Sequence, residues 1–563
     1  GRSERVGATL LITFEKKLNG MKFILSILLA ILLWTGCKEN PPSGNSEISE
    51  QNMREYIKTL SSDEFQGRKP FTAGEEKTVS YLEKEAKRIG LQPGNGNSYT
   101  QDVPLTSIHG HPSPTLDLFG KNKVSLHLND QYVAFTQRTD STIAITNADV
   151  VFCGYGVTAP EYQWADYAGM DVKGKIVIVL VNDPPPGMGG TDSTFFKGNT
   201  MTYYGRWTYK YEEAARQGAA AIFIVHQTET AGYPWNVVRE ASTGAKLNLQ
   251  SLSYTPCQMQ GWMSTEAAQE IFKSADLDFE KAMIAAKTPG FKAIPLPFKG
   301  NVSIKNEVVS NTSKNVIAMI PGIDQREEYI IYTAHWDHFG ISTPIDGDSI
   351  YNGACDNASG SAALMTIAET MMKGGPYKRS IIFLWVTAEE QGLLGSAYYG
   401  THPIFPAAQT VANLNMDALG TFGQMKDLSV VGYGQSELED YAKRWAEKQD
   451  RYISPDQEPE KGHFFRSDHF NFAKIGIPAL DAKGSYDHRQ KGIAYAKEMG
   501  EDYRTNRYHQ PADEYDESTW DMGGMVQDAE LYMNLGKELA NSQDWPKWKA
   551  GSEFKSIREK DRK

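Results

Sequence analysis

Two histidines and a set of carboxylates punctuate the second half of this sequence where metal chemistry would want them. His335 and Asp337 follow "EYIIYTA", and Asp356 stands in "YNGACDNASG". Glu389 and Glu390 follow "SIIFLWVTA", Asp417 follows "TVANLNM", and His509 lies in "TNRYHQPADEYD". Imidazole and carboxylate are the ligand types of Zn2+ and its divalent neighbours. Each residue also has a plainer role open to it. Asp356 suits a helix N-cap. Thr387-Ala388-Glu389-Glu390 matches a capping box, in which Glu390 only bonds back to its own helix start. His335 reads equally as a buried structural histidine, Asp417 as a strand end and His509 as a loop residue. Together the plainer roles are costly: a single buried edge crowded with unpaired carboxylates costs several kcal/mol per ion, and divalent cations would pair them.

The elements that must position these residues are short apolar runs alternating with helical stretches from "NVIAMIPG" (315–322) onward. Near-continuous apolar strands alternating with helices predict an α/β fold, its central sheet covered on both faces. Ligands of such sheets sit beyond the carboxyl ends of the strands, where these polar residues fall. Earlier in the chain, "EEKTVSYLEKEAKRIGLQPG" carries Val79, Leu82, Ala86 and Ile89 at helical spacing, with Gly90 as its stop. A separate block of strands and one helix runs over 148–290.

The chain has 563 residues, too many for one compact core, and 40% hydrophobic residues with 50 Gly and 26 Pro is ordinary for a folded protein. A formal charge of −12 without a long basic run argues against a nucleic-acid partner. At the N-terminus, "MKFILSILLAILLWTGCKEN" places Lys22 and an apolar run from Phe23 to Trp34 ahead of Thr35-Gly36-Cys37. The run is shorter than the ~20 residues of a membrane span and has the layout of a secretory signal. Thr35-Gly36 before Cys37 resembles a bacterial lipoprotein processing site. That implies an exported chain, in the periplasm or at the outer membrane, anchored by lipid on Cys37. The other cysteines, Cys153, Cys257 and Cys355, are too few for a disulfide scaffold; Cys153 and Cys257 are open to pairing.

"TAHWDHFG", "NGACDNASG", "VTAEEQGLLGS", "NLNMDALG" and "YHQPADE" resemble the five metal-site motifs of the co-catalytic zinc aminopeptidases, the family that includes aminopeptidase Y, bacterial leucyl aminopeptidases and glutamate carboxypeptidase. "SDHFNFAKIGIPAL" and the N-terminal "LSSDEFQGRKPFTAGEEKTVSYLEKEAKRIGLQP" are similar to further shared stretches. The block 148–290 resembles the protease-associated domain inserted into many members. The resemblance covers residues 50–545. It implies a zinc-exopeptidase fold, with a mixed, largely parallel sheet and an inserted β-rich α/β domain. The implied division is a leader and tether over 1–49, peptidase segments over 50–147 and 291–545, the insert between them, and a tail over 546–563.

Carried over by motif, the resemblance implies two Zn2+, with Co2+ or Mn2+ as substitutes. One ion takes His335, Asp356 and Asp417; the other takes Asp356, Glu390 and His509, with Asp356 bridging. Glu389 matches the general base acting on a hydroxide held between the metals, and Asp337 is placed to orient the His335 ring. Cys355 departs from the family's commoner polar residue, and a thiol there would alter metal preference or sensitise the site to oxidation. The implied activity is removal of N-terminal residues from peptides. The alternatives are a carboxypeptidase or dipeptidase of the glutamate carboxypeptidase type, a glutaminyl cyclase-like acyltransferase, or a metal-free binding protein like the transferrin receptor. Oligomeric state is not legible.

Overall fold

The sheet whose strands end in the polar residues named above explains its own sequence pattern through two packed faces. Strand β1 spans Thr100–Pro112, β2 Ile294–Ile320, β3 Gln325–His335, β4 Arg379–Val386, β5 Thr410–Asn415 and β6 Ala479–Lys483; the helices that matter here are α1 (Glu50–Leu60), α2 (Ala73–Ile89), α3 (Gly360–Gly374) and α4 (Gly523–Asn541). On β3, Ile330, Tyr332 and Ala334 join a cluster with Ile57 of α1, Leu364 of α3 and Leu531 of α4. Their neighbour Ile331 turns to the other face, with Tyr399, Phe405 and Phe472. Strand β4 divides in the same way, Ile381, Phe383 and Trp385 to one face and Ile382, Leu384 and Val386 to the other. A strand buried on both sides has no solvated face on which to place polar residues, so its sequence reads as one apolar run.

The computed structural model describes residues 47–184, 195–231 and 233–562; the leader and Cys37 lie outside them. Among the described residues, no helix is long and apolar enough to cross a membrane. Within the unit that begins at Ile48, β2 runs antiparallel to β4 (Val316 opposite Trp385). Strand β4 is parallel to β3 (Val386 beside His335), β3 to β5 (Thr333 beside Asn415) and β5 to β6 (Asn413 beside Ala479). The carboxyl ends of four parallel strands therefore open onto one edge. The architecture is mixed α/β with a largely parallel sheet in this half.

Helix α2 forms as its sequence predicts. The Thr72 side chain accepts from the Gly74 N–H at its start, and Gly90, at φ +92°, ends it in the left-handed region that glycine tolerates. Strand β2 is unusually long, at 27 residues. Its first part pairs with Thr142–Phe152 and with β1, and its last part pairs with β4 in the sheet of β3–β6. A second core, holding Phe152, Ile178, Phe223, Met263 and Phe272, draws on residues from Leu116 to Ile304. Here Ile176–Leu180, Ala221–His226 and Met259–Ser264 lie parallel to one another. Cys153 and Cys257 are buried free thiols rather than a disulfide.

Candidate metal centre

The loop before α3 shows why small residues surround Asp356. Gly353 sits at φ +54°, and a Cβ there would collide with the Asp356 carbonyl and the His338 ring. Gly360 abuts the Asn357 side chain and the Met416 carbonyl. The helix start is capped by Asn357, whose Oδ1 accepts from the Gly360 N–H at 2.8 Å. Asp356 is thereby released from capping, and its backbone N–H and that of Cys355 each donate to the Asp513 carboxylate at 3.0 Å. Asp513 lies four residues past His509 in the same segment, so it ties the His509 loop to the Asp356 loop.

Each oxygen of the buried Asp356 carboxylate faces a different histidine. His335 Nε2 lies 3.3 Å from Asp356 Oδ1 and 3.3 Å from Asp417 Oδ1. His509 Nε2 lies 3.3 Å from Asp356 Oδ2 and 3.2 Å from Glu390 Oε2. His338 adds its Nδ1 at 2.6 Å from Glu390 Oε1. Ligand-type atoms of His335, Asp356 and Asp417 converge, as do those of His338, Asp356 and Glu390, and those of His335, Glu389 and Glu390. Thr387 hydrogen-bonds Ser313 instead of capping a helix, and the next helix begins only at Leu394. The capping-box role for Glu390 is thus excluded by its partners.

Asp337 differs in detail from its expected contact. The atom nearest His335 Nδ1 is the carbonyl oxygen of Asp337, at 3.2 Å, while its carboxylate Oδ1 is 3.7 Å away. That Oδ1 instead accepts from the Glu389 backbone N–H at 3.0 Å. Asp337 thus steadies the ring through its backbone and the Glu389 turn through its side chain. Three site positions carry left-handed backbone without being glycine: Ala388 (φ +53°), Ala418 (φ +48°) and His509 (φ +58°). Such strain, of order 1–3 kcal/mol each, is retained where surrounding contacts over-determine the backbone.

The charges in this pocket do not balance. Burial alone would lower the His335 pKa, yet Glu389, Asp417 and Asp356 hold it well above the usual imidazole value. Burial likewise opposes a charged His509, but Glu390 and Asp356 raise it to about 10. Burial raises Glu389 well above the ordinary carboxylate range, with His335 opposing and Glu390 and Asp417 adding to the rise. Burial works against ionised Asp356, but His335 and His509 hold it well below its usual value. One ring N–H cannot serve two carboxylate oxygens well, and both His335 and His509 face two. A divalent cation accepts electron pairs from all three groups at once, so this donor set fits one.

Several residues support the site from within the quoted stretches, though residue type and spacing did not mark the contacts they make. Arg68, 1% exposed, donates to the carbonyls of Trp336 (2.8 Å), Leu60 (2.7 Å), Asn352 (2.6 Å) and Gly353 (2.8 Å). It clamps the loop after His335 to the loop before Asp356. Behind the sheet edge, Asp468 accepts from Ser396 at 2.5 Å, and Asn415 links Ser467 to Asp481. The Cys355 Sγ donates to the Leu419 carbonyl at 3.4 Å, and burial raises its pKa well above the usual thiol value. It is a buried, protonated group, not a reactive thiolate facing the site.

The chain is similar to several known proteins. The mouse aminopeptidase NAALADL1 is 35% identical over 139 residues, which cover 23% of this chain and 17% of the mouse protein. The aminopeptidase YwaD of Bacillus subtilis is 26% identical over 215 residues, 36% of this chain and 40% of that one. A probable leucine aminopeptidase of Arthroderma otae is 27% identical over 234 residues, 40% of this chain and 57% of that one. The chain thus spans between a sixth and three-fifths of these relatives' lengths. Among solved structures, an aminopeptidase from Aneurinibacillus sp. strain AM-1 superposes with a TM-score of 0.46 at 21% identity, covering 89% of this chain and 96% of that one. The model of peptidase family M28 matches residues 315–533, the segment that carries His335, Asp356, Glu389, Glu390, Asp417 and His509.

Proposed function

We propose that this chain is an exported, zinc-dependent aminopeptidase in which Asp356 would serve two metal ions. The observation that carries the reading is the Asp356 carboxylate, one oxygen towards His335 and the other towards His509. His335, Asp356 and Asp417 would hold one cation, and Asp356, Glu390 and His509 the other, with His338 supporting Glu390. When bound, the cations supply Lewis-acid polarisation of the scissile carbonyl and lower the pKa of a water molecule. Glu389 is the group left over from ligation: its carboxylate takes a proton from the attacking water and returns it to the departing amine. The Asp337–Glu389 backbone bond and the left-handed turn at Ala388 hold the backbone that places Glu389 beside His335 and Glu390.

The block 148–290 reads as a protease-associated domain that walls the cleft. In support, the Met201 N–H donates to the Pro459 carbonyl, and Tyr203 packs on Phe465 and Phe470. Lys474 pairs with Glu212 at 2.8 Å. Export rests on the leader and Cys37 alone.

The test is to count metal per protein and compare hydrolysis of free and N-acetylated peptides by wild type and Glu389→Ala. Two equivalents of metal that depend on Asp356, activity lost on acetylation, and a metal-loaded variant slower by about 10²–10⁴-fold support the reading. Cleavage of acetylated peptides from the C-terminus would move it to a carboxypeptidase, and a chain that takes up no metal would end it.

A further inference from the structure

Away from the metal centre, the described residues contain one other place where imidazole and carboxylate ligand atoms converge: His109, His111 and Glu307, all within 4.8 Å of one another. His109 and His111 are two residues apart on β1, so their rings project from the same face of the sheet. Glu307 stands on β2 directly across from His109 in the ladder. His111 Nε2 lies 3.2 Å from Glu307 Oε1, and His109 Nδ1 lies 4.0 Å from Glu307 Oε2. Each carboxylate oxygen therefore addresses a different ring, and the ring centroids are 4.4 Å apart. The three side chains are 43%, 50% and 75% exposed, so an ion can reach them from solvent.

We propose that His109, His111 and Glu307 form a second, surface site for a borderline transition-metal dication, Zn2+ or Cu2+. Two imidazoles with one carboxylate suit such ions and disfavour Mg2+ and Ca2+, which seek oxygen ligands. The backbone is already ordered for the task. Strand β1 is hydrogen-bonded on one side to Ala245–Leu249 and on the other to β2, the latter in register from Pro112–Ile304 to Thr100–Val316. Binding then costs little further backbone ordering. One charge opposes it: Lys305, exposed and directly across from His111. An ion held here clamps β1 to β2 in the ladder that continues into the catalytic sheet, and stabilises the fold by mass action.

The site is independent of the peptidase reading, and its test separates the two. Full-length, metal-loaded protein is titrated calorimetrically with Zn2+ and, separately, Cu2+, Mg2+ and Ca2+. Wild type should bind one equivalent of Zn2+ or Cu2+ beyond the metal centre, with a rise in melting temperature. His109→Ala/His111→Ala should lose that equivalent and the rise, Glu307→Gln should bind at least tenfold more weakly, and Lys305→Gln severalfold more tightly. Peptide hydrolysis should be unchanged in all of them, and Asp356→Asn should keep the surface equivalent. The proposal is overturned if the double variant gives the wild-type isotherm, if wild type binds only at millimolar metal, or if Mg2+ and Ca2+ bind equally well.

Discussion

Two regions of this molecule bury charge, and they resolve it in opposite ways. In the second core, Lys210 is fully buried and donates to the Asn182 carbonyl at 3.0 Å. Near it, Asp183 accepts from the Thr202 N–H and hydroxyl at 2.8 and 2.7 Å, and Asp166 accepts from Val157 N–H and Trp164 Nε1 at 3.0 and 2.9 Å. Each carboxylate oxygen has its own donor, and a lysine offsets the charge. At the metal centre Asp337, Asp356, Glu389, Glu390 and Asp417 crowd around His335, His338 and His509. There, Asp337 Oδ2 and His338 Nε2 have no hydrogen-bond partner among the described residues, and two ring nitrogens are each shared between carboxylates. A buried array closed within the chain is structural; one left open by its own residues is shaped for a cation from outside.

The sharpest way to break this contrast is Asp356→Asn, which removes the charge common to both halves of the open array. Metal content and peptide hydrolysis should both fall, hydrolysis by about 10³-fold or more. Chelation of wild type should do the same, while the Lys210 region is unaffected. Next in size is Arg68→Ala, which strands four buried carbonyls. Urea unfolding should show a loss of about 3–5 kcal/mol, partly recovered by Arg68→Lys, whose ammonium reaches fewer of them.

Lys210→Met should cost about 3 kcal/mol by leaving two buried carboxyls without their cation, yet leave kcat unchanged. The closed array also predicts a pH signature. Burial raises Asp166 to about 6 and Asp183 to about 7, against hydrogen bonds from Val157 and Trp164 and from Thr202. The unfolded chain releases those protons near pH 4 while the fold retains them, so their contribution to stability is lost as pH rises from about 4 to about 7. Burial lowers Lys210 to about 8, so its contribution recovers from about pH 8 to about 10.5. The melting temperature should therefore fall more between pH 5 and 7 in wild type than in Asp166→Asn/Asp183→Asn. An equal fall in both would remove the distinction between the arrays. The smallest effect is expected from Cys355→Ala: about 1 kcal/mol of stability, activity within severalfold, and no labelling of the native thiol by iodoacetamide.

What the sequence determined by itself is local. Residues that end apolar runs could be read as strand-end residues because a strand buried on both faces leaves an unmistakable pattern, and parallel strands carry their carboxyl ends to one edge. His335, Asp356, Glu389, Glu390, Asp417 and His509 were named on that basis and by motif, and the structure gathers them. What only the tertiary structure decided is which atom meets which. Asn357 rather than Asp356 caps α3, and His338 reaches Glu390 although its side chain carries no distinguishing pattern. Asp337 meets His335 through its carbonyl, and Cys355 turns to Leu419. Arg68 finds the Asn352 and Gly353 carbonyls 284 and 285 residues away. Periodicity records how each segment meets the core, a property of neighbours a few residues apart. Hydrogen bonds across hundreds of residues depend on how the loops pack, and no local pattern encodes that packing.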